Sequence, residues 1–275
     1  MGREEEADAR LLLEDEAELG SPAKAVGNAA LQNIDVMTTT WPTVRAPVVP
    51  VLLLGAAIGF VLANDTTSPD AARSFAGTVA DWPAWAHDAV ATVSERGLVV
   101  LGLLLAVSAW RARSRGPRQV ATAVLGGTGV VLALAASELL KVLTAQDRPC
   151  REVADLDAVV PCPPVGDWSL PSNHATLAAA LAAALVWSAP RWWPLVVSLA
   201  SLVAAARVAL GVHYPHDVVD GLVLGALVPS ATVPLLRRPA THWVTAGRRV
   251  PLLRAVLSDG SRPMPSDAGD RAGAA

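Results

Sequence analysis

Apolar residues in this chain come in long runs broken by short polar stretches, without the regular polar face of a surface helix. Six runs stand out, at 47–63, 97–110, 120–143, 175–189, 193–212 and 218–236. Runs this long and this poor in charge read as membrane-spanning helices, because a straight span takes about 20 residues. Helix is also the secondary structure that satisfies every backbone group within one segment in lipid. The runs at 97–110 and 175–189 are short. The first of these lengthens backwards through 89–93 only by admitting Glu95 and Arg96 near the interface, where long side chains snorkel. The pattern therefore predicts an all-α, polytopic bundle of six transmembrane helices over 46–237. An acidic N-terminal tail at 1–45 precedes it, and a largely disordered tail at 238–275 follows.

Composition sharpens this picture. Of 275 residues, 52% are hydrophobic and 17% charged, where a soluble domain carries about a quarter charged. The start, MGREEEADARLLLEDEAELG, is acidic and lacks the basic opening and apolar core of a signal peptide. The arginines are scattered along segment ends instead of covering one soluble face, so nothing points to nucleic acid as a partner. Their placement orients the bundle. Arg111, Arg113, Arg115 and Arg118 follow the second run, Arg191 the fourth, and Arg237 and Arg238 the sixth. By the positive-inside rule both termini are cytoplasmic, and the loops after the first, third and fifth runs face outward. Trp82, Trp85 and Trp168 then mark the outer interface, and RRVPLLRAVL in the C-terminal tail suits an amphipathic segment on the inner surface. Cys150 and Cys162 share one outward loop, where oxidising conditions favour a disulfide. They have no His or Cys partner pair that would suit a metal.

The same parity collects ionisable groups on one face. Lys141 and Arg148 follow the third run, His174 opens the fourth, Arg207 lies near the end of the fifth, and His213 and Asp217 start the sixth. Ionisable groups at membrane depth are costly and are functional candidates by default. Three cations drawn together would repel one another unless they held an anion. Arginine's planar fork and lysine's compact charge both suit phosphate. In PSNH, Ser172 is a good N-cap, and free N–H groups of the helix it opens would point at an anion. Two histidines add covalent chemistry: one neutral imidazole attacks phosphorus while the other protonates the departing oxygen. His213 and Asp217 are four apart, and with a helix starting near Pro215 the carboxylate can approach the imidazole and fix the tautomer that leaves the other ring nitrogen free. His216 and Asp220 read as polar residues of the helix end.

These residues stand as KVLTAQDRP (141–149), PSNH (171–174) and ARVALGVHYPHD (206–217). In order and spacing they resemble the three-part signature of the type 2 phosphatidic acid phosphatase superfamily. The resemblance covers the third through sixth runs. It implies a six-helix membrane phosphatase with its active site at the outer membrane interface, acting without a metal or other cofactor on a membrane lipid phosphate. It further implies that Lys141, Arg148 and Arg207 hold the phosphate with Ser172 and the backbone of Asn173. His213 would be the nucleophile, Asp217 its orienting acid, and His174 the acid for the leaving group. Two positions depart from the family pattern. Asn173 stands in place of a usual glycine; asparagine tolerates left-handed backbone angles, which keeps its N–H within reach of phosphate. Ala206 stands in place of a usual serine, which removes one hydroxyl contact.

Hydrolysis of a lipid phosphate monoester or diphosphate is the leading expectation, with isoprenoid diphosphates, phosphatidate and phosphatidylglycerol phosphate offering the same reacting group. A lipid phosphotransferase on the same scaffold is one alternative. A non-catalytic protein that binds or transports anionic lipid is the other, and it gives no reason for the His213–Asp217 spacing.

Overall fold

A computed structural model describes residues 68–258. The first apolar run, the acidic tail and residues 259–275 lie outside the described residues. Eight α-helices follow in order: α1 (Ser68–Ala80), α2 (Ala84–Arg115), α3 (Pro117–Thr144), α4 (Pro149–Glu152), α5 (Asn173–Ser188), α6 (Trp193–Ala209), α7 (Pro215–Gly247) and α8 (Pro251–Leu257), and no strand occurs among the described residues. Four stretches, Ala84–Arg115, Pro117–Glu152, Pro190–Ala209 and Pro215–Gly247, are long and apolar enough to cross a membrane. Their outward faces carry exposed Val99, Leu103 and Val107 on α2 and Val131, Leu139 and Val142 on α3, as lipid-facing surfaces do.

The short second run extends in both directions. α2 reaches back to Ala84 and forward through the arginines to Arg115. The RARSRGPR stretch is therefore two helix ends joined at Gly116, not a loop. Gly116 takes φ 115°, which a side chain would resist, and Pro117 supplies the fixed φ of a first helical position. At the far end α7 passes the double arginine and runs to Gly247, so the boundary expected at 237 falls inside a helix. α8 then folds back. Arg248 Nε donates to the Leu257 carbonyl at 2.9 Å and its Nη2 to the Arg113 carbonyl at 3.1 Å, tying α7, α8 and the end of α2 together.

α5 has 16 residues, which at 1.5 Å each gives about 24 Å. Its lack of a polar face has a packing cause. α2, α3, α6 and α7 all contact it, and a helix that is apolar all round belongs inside a bundle. Its buried residues are mostly alanine: Ala175, Ala178, Ala179, Ala180, Ala182 and Ala184. Small residues let helix backbones approach closely where lipid supplies no hydrophobic drive between helices. α7 answers with Gly221 and Gly225, and a Cβ built on Gly221 would sit 2.6 Å from the Ser172 carbonyl. At Gly225 the neighbouring group is the backbone of Thr176. This seam fixes the start of α7 against the start of α5, and the Ser172 N–H donates to the Asp217 carbonyl at 3.0 Å. Gly225→Val forces the two backbones apart and costs about 1–3 kcal/mol, as overpacking does. Thermal unfolding in detergent reads this as a lowered midpoint.

Candidate functional site

The site lies where the end of α3, the loop from 153 to 172 and the starts of α5 and α7 meet the end of α6. Arg148 is its hub and is 3% exposed. Its Nε donates to the Asp167 carbonyl at 2.8 Å and its Nη2 to Asp167 Oδ1 at 2.8 Å. Nη1 donates to the Val212 carbonyl at 3.0 Å and lies 3.0 Å from His213 Nε2. Lys141, buried one turn before the end of α3, donates from Nζ to the same Asp167 Oδ1 at 3.0 Å. Burial opposes a charge on Asp167, but the hydrogen bonds from Lys141 and Arg148 hold its carboxyl below the ordinary range.

His213 sits in the turn before α7, 1% exposed. Its Nδ1 is 3.3 Å from Asp217 Oδ2. Asp217 is fully buried, and the same Oδ2 accepts from the Tyr214 N–H at 2.8 Å and from Ser169 Oγ at 2.5 Å. The Asp217–Tyr214 contact is a capping box, so the residue that orients His213 also caps α7. With Nδ1–H given to Asp217, Nε2 carries the lone pair, and the Arg148 N–H rests against it. Burial pushes the His213 imidazole down to about 4, against the opposing pull of Asp217, and Arg148 and Arg207 push in the same direction as burial.

On the far side, Arg207 Nη1 donates to Ser94 Oγ at 3.2 Å and lies 3.7 Å from Glu95 Oε1. His174 Nε2 is 3.2 Å from the same Glu95 oxygen. Glu95, with its side chain 66% exposed, therefore pairs with His174 and Arg207 from the open side of the cluster. Ser172 Oγ and Arg207 Nε are buried here without a hydrogen-bond partner among the described residues. Ser172 does occupy the N-cap position of α5, but its hydroxyl caps nothing. Asn173 opens α5 without left-handed angles; among the described non-glycine residues those belong to Ala145 and Asp155. Its amide instead accepts from Ser137 Oγ at 2.7 Å and donates to Glu138. His216 is more than a polar helix end. It is buried, stacks on Tyr214 with ring centroids 5.2 Å apart, and brings Nε2 to 3.1 Å from Asp217 Oδ1. Cys150 and Cys162 are joined in a disulfide, with Cα atoms 5.9 Å apart, across the loop that carries Asp167 and Ser169. Among the described residues, no three His, Cys, Asp or Glu side chains converge as a metal site.

Lys141, Arg148, His174, Arg207, His213 and Asp217 thus share one end of the bundle with Ser172 and Asn173. Sequence reasoning missed Ser94, Glu95, Asp167 and Ser169. A signal existed for two of them. Glu95 is a carboxylate inside an apolar extension, and Ser169 lies two residues before the PSNH motif. Asp167, in a loop of no regular structure, carried none.

A family model described as the PAP2 superfamily matches residues 122–238, from α3 through most of α7. The decaprenylphosphoryl-5-phosphoribose phosphatase of Mycobacterium tuberculosis is 35% identical over 132 residues, covering 48% of this chain and 67% of that protein. The chain belongs to the PAP2 superfamily. An undecaprenyl-diphosphatase of Sulfolobus acidocaldarius is 36% identical over 104 residues, 38% of this chain and 50% of that protein. The chain thus spans half the length of the archaeal relative and 67% of the mycobacterial one. Among solved structures, the first transmembrane PAP2 type phosphatidylglycerolphosphate phosphatase from Bacillus subtilis matches with a TM-score of 0.51 and 21% identity. That match covers 69% of this chain and 96% of the other, and it is a likeness of fold. With its four apolar helices, this PAP2 chain is a multi-pass membrane protein.

Proposed function

We propose that this protein is a membrane phosphatase that hydrolyses a lipid phosphate monoester or diphosphate through a phosphohistidine, without a metal. The observation that carries the reading is the seat of Asp167: an oxyanion held by Lys141 and Arg148, beside His213 Nε2. A phosphate entering that seat takes the Arg148 N–H away from Nε2 and frees the lone pair. It also meets the two unpartnered groups, Ser172 Oγ and Arg207 Nε. Relatives named as phosphatases of lipid-linked substrates support the same chemistry.

In the first step His213 Nε2 attacks the terminal phosphorus, the P–N bond forms, and the P–O bond breaks to the lipid alcohol of a monoester or to the inner phosphate of a diphosphate. His174 gives its proton to the departing oxygen. Asp217 holds Nδ1–H and stabilises the charge that develops on the ring. In the second step His174 takes a proton from water, the oxygen attacks phosphorus, and the P–N bond breaks to release inorganic phosphate. The arginine distribution supports cytoplasmic termini and a site that opens at the outer face.

The test is phosphate release by the purified protein over a panel of lipid phosphates and diphosphates, with and without chelator. Release unaffected by chelator is expected; release abolished by it contradicts metal independence, and no release from any member contradicts the function. The pH profile follows from His213. A histidine lowered to about 4 stays neutral, and nucleophilic, at every pH above that value. Corrected for titration of the substrate phosphate, the acid limb of kcat/KM falls near pH 4, well below an ordinary histidine at about 6.5.

A further inference from the structure

A cavity of about 500 Å³ opens beside the clamp and shares Lys141 and Asp167 with it. Val142, on the lipid-facing side of α3, forms one edge of this cavity. A substrate with its phosphate in the clamp and its tail in the bilayer passes through this space. The lining is rich in acceptors: the carboxylates of Glu138 and Asp167 and the amide of Asn173, with the indole of Trp168 beside them. Among the lining residues Lys141 is the sole cation, and it is already paired with Asp167.

The Glu138 carboxylate is held in place. Ser137 Oγ donates to Asn173 Oδ1, which turns the Asn173 Nδ2 group toward Glu138. The side chain that does this stands where the family pattern has glycine, so the wall is built by this chain's own residue. With the reacting phosphate in the place of Asp167 at Lys141 and Arg148, a second phosphate attached to it would enter this space and meet the fixed Glu138 carboxylate and no unpaired cation. Like charges brought together in that way exclude a partner more effectively than missing contacts do. A neutral unit bearing hydroxyls does the opposite, since each O–H donates to a fixed acceptor.

We infer that this cavity is a spacer subsite for a sugar or polyol unit between the reacting phosphate and the lipid, and that Glu138 sets a preference for phosphate monoesters on such a unit over lipid diphosphates. The inference rests on the phosphatase reading. It is tested by kcat/KM for phosphatidylglycerol phosphate and for farnesyl diphosphate in one detergent, with the wild-type protein, Glu138→Gln and Trp168→Ala. p-Nitrophenyl phosphate serves as a substrate that needs no subsite. The wild type favours the polyol monoester by at least about tenfold, a difference of about 1.4 kcal/mol. Glu138→Gln narrows that ratio several-fold by raising turnover of the diphosphate. Trp168→Ala narrows it by raising KM for the polyol substrate, and both variants cleave p-nitrophenyl phosphate like the wild type. A wild-type ratio near one, or a ratio that Glu138→Gln leaves unchanged, overturns the subsite while the phosphatase reading stands. No release from any of the three substrates overturns both.

Discussion

His213→Ala lowers phosphate release by a factor of about 10⁴ or more, because no other group takes over the bond to phosphorus. The neighbours make the reason specific. Nε2 is the ring nitrogen turned to the clamp, 3.0 Å from Arg148 Nη1, while Nδ1 is committed to Asp217 at 3.3 Å. His216 also approaches Asp217, but at Oδ1, and it stacks on Tyr214 near Gln146, so it does not substitute at the clamp. His174 cannot serve either, since it stands beside Glu95 with Arg207. The expected result is loss of turnover with substrate binding largely kept, since Lys141, Arg148 and Arg207 all remain. Turnover and lipid binding measured on the same detergent preparation separate the two. Retained turnover in this variant removes the nucleophile from the account.

Arg148→Ala has the second largest effect, and it strikes structure and chemistry together. The guanidinium bonds the Asp167 carbonyl and carboxylate, the Val212 carbonyl and the His213 ring. Its removal leaves acceptors without partners, at about 1–3 kcal/mol for each one that stays buried. The loop that carries Asp167 and Ser169 then loses its tie to the turn that carries His213. Turnover falls by about 10²–10³, as it does when a donor to a developing oxyanion is lost, and the thermal midpoint falls with it. Arg148→Lys separates the two losses. It restores the charge but not the planar fork, so kcat/KM stays at least about tenfold below wild type. Equal activity in Arg148→Lys and wild type would mean that the fork has no role.

Much of this site was legible in the sequence because its residues sit at the ends of apolar runs. Lys141, Arg148, His174, Arg207, His213 and Asp217 stand out against Ala, Val and Leu, and helix parity brings them to one face. The pair His213–Asp217 was readable because Asp217 lies in the first turn of the helix that Pro215 opens, and the turn just before that helix brings His213 back to it. What escaped was carried by positions without a period. Asp167 and Ser169 lie in the 153–172 loop, where contact depends on the path of the chain between α4 and α5. Glu95 was visible as an interfacial carboxylate, but its partners were not, because Arg207 and His174 reach it from two other helices. The fold was read with similar limits. Run lengths gave helix positions well, but α2 and α7 outlast their apolar stretches because a helix does not need lipid to continue. The short run that became α5 is rich in alanine because four helices pack against it.

In the proposed mechanism phosphate passes through a bond to His213. Brief incubation with a substrate labelled with ³²P in the terminal phosphate, followed by quenching in alkali, tests it directly. Phosphohistidine survives alkali and is lost in acid, and tandem mass spectrometry locates it. Label is expected on His213, released as inorganic phosphate on further incubation and absent in His213→Ala. Full turnover with no labelled protein at any quench time, or label on another residue that chases into product, contradicts it.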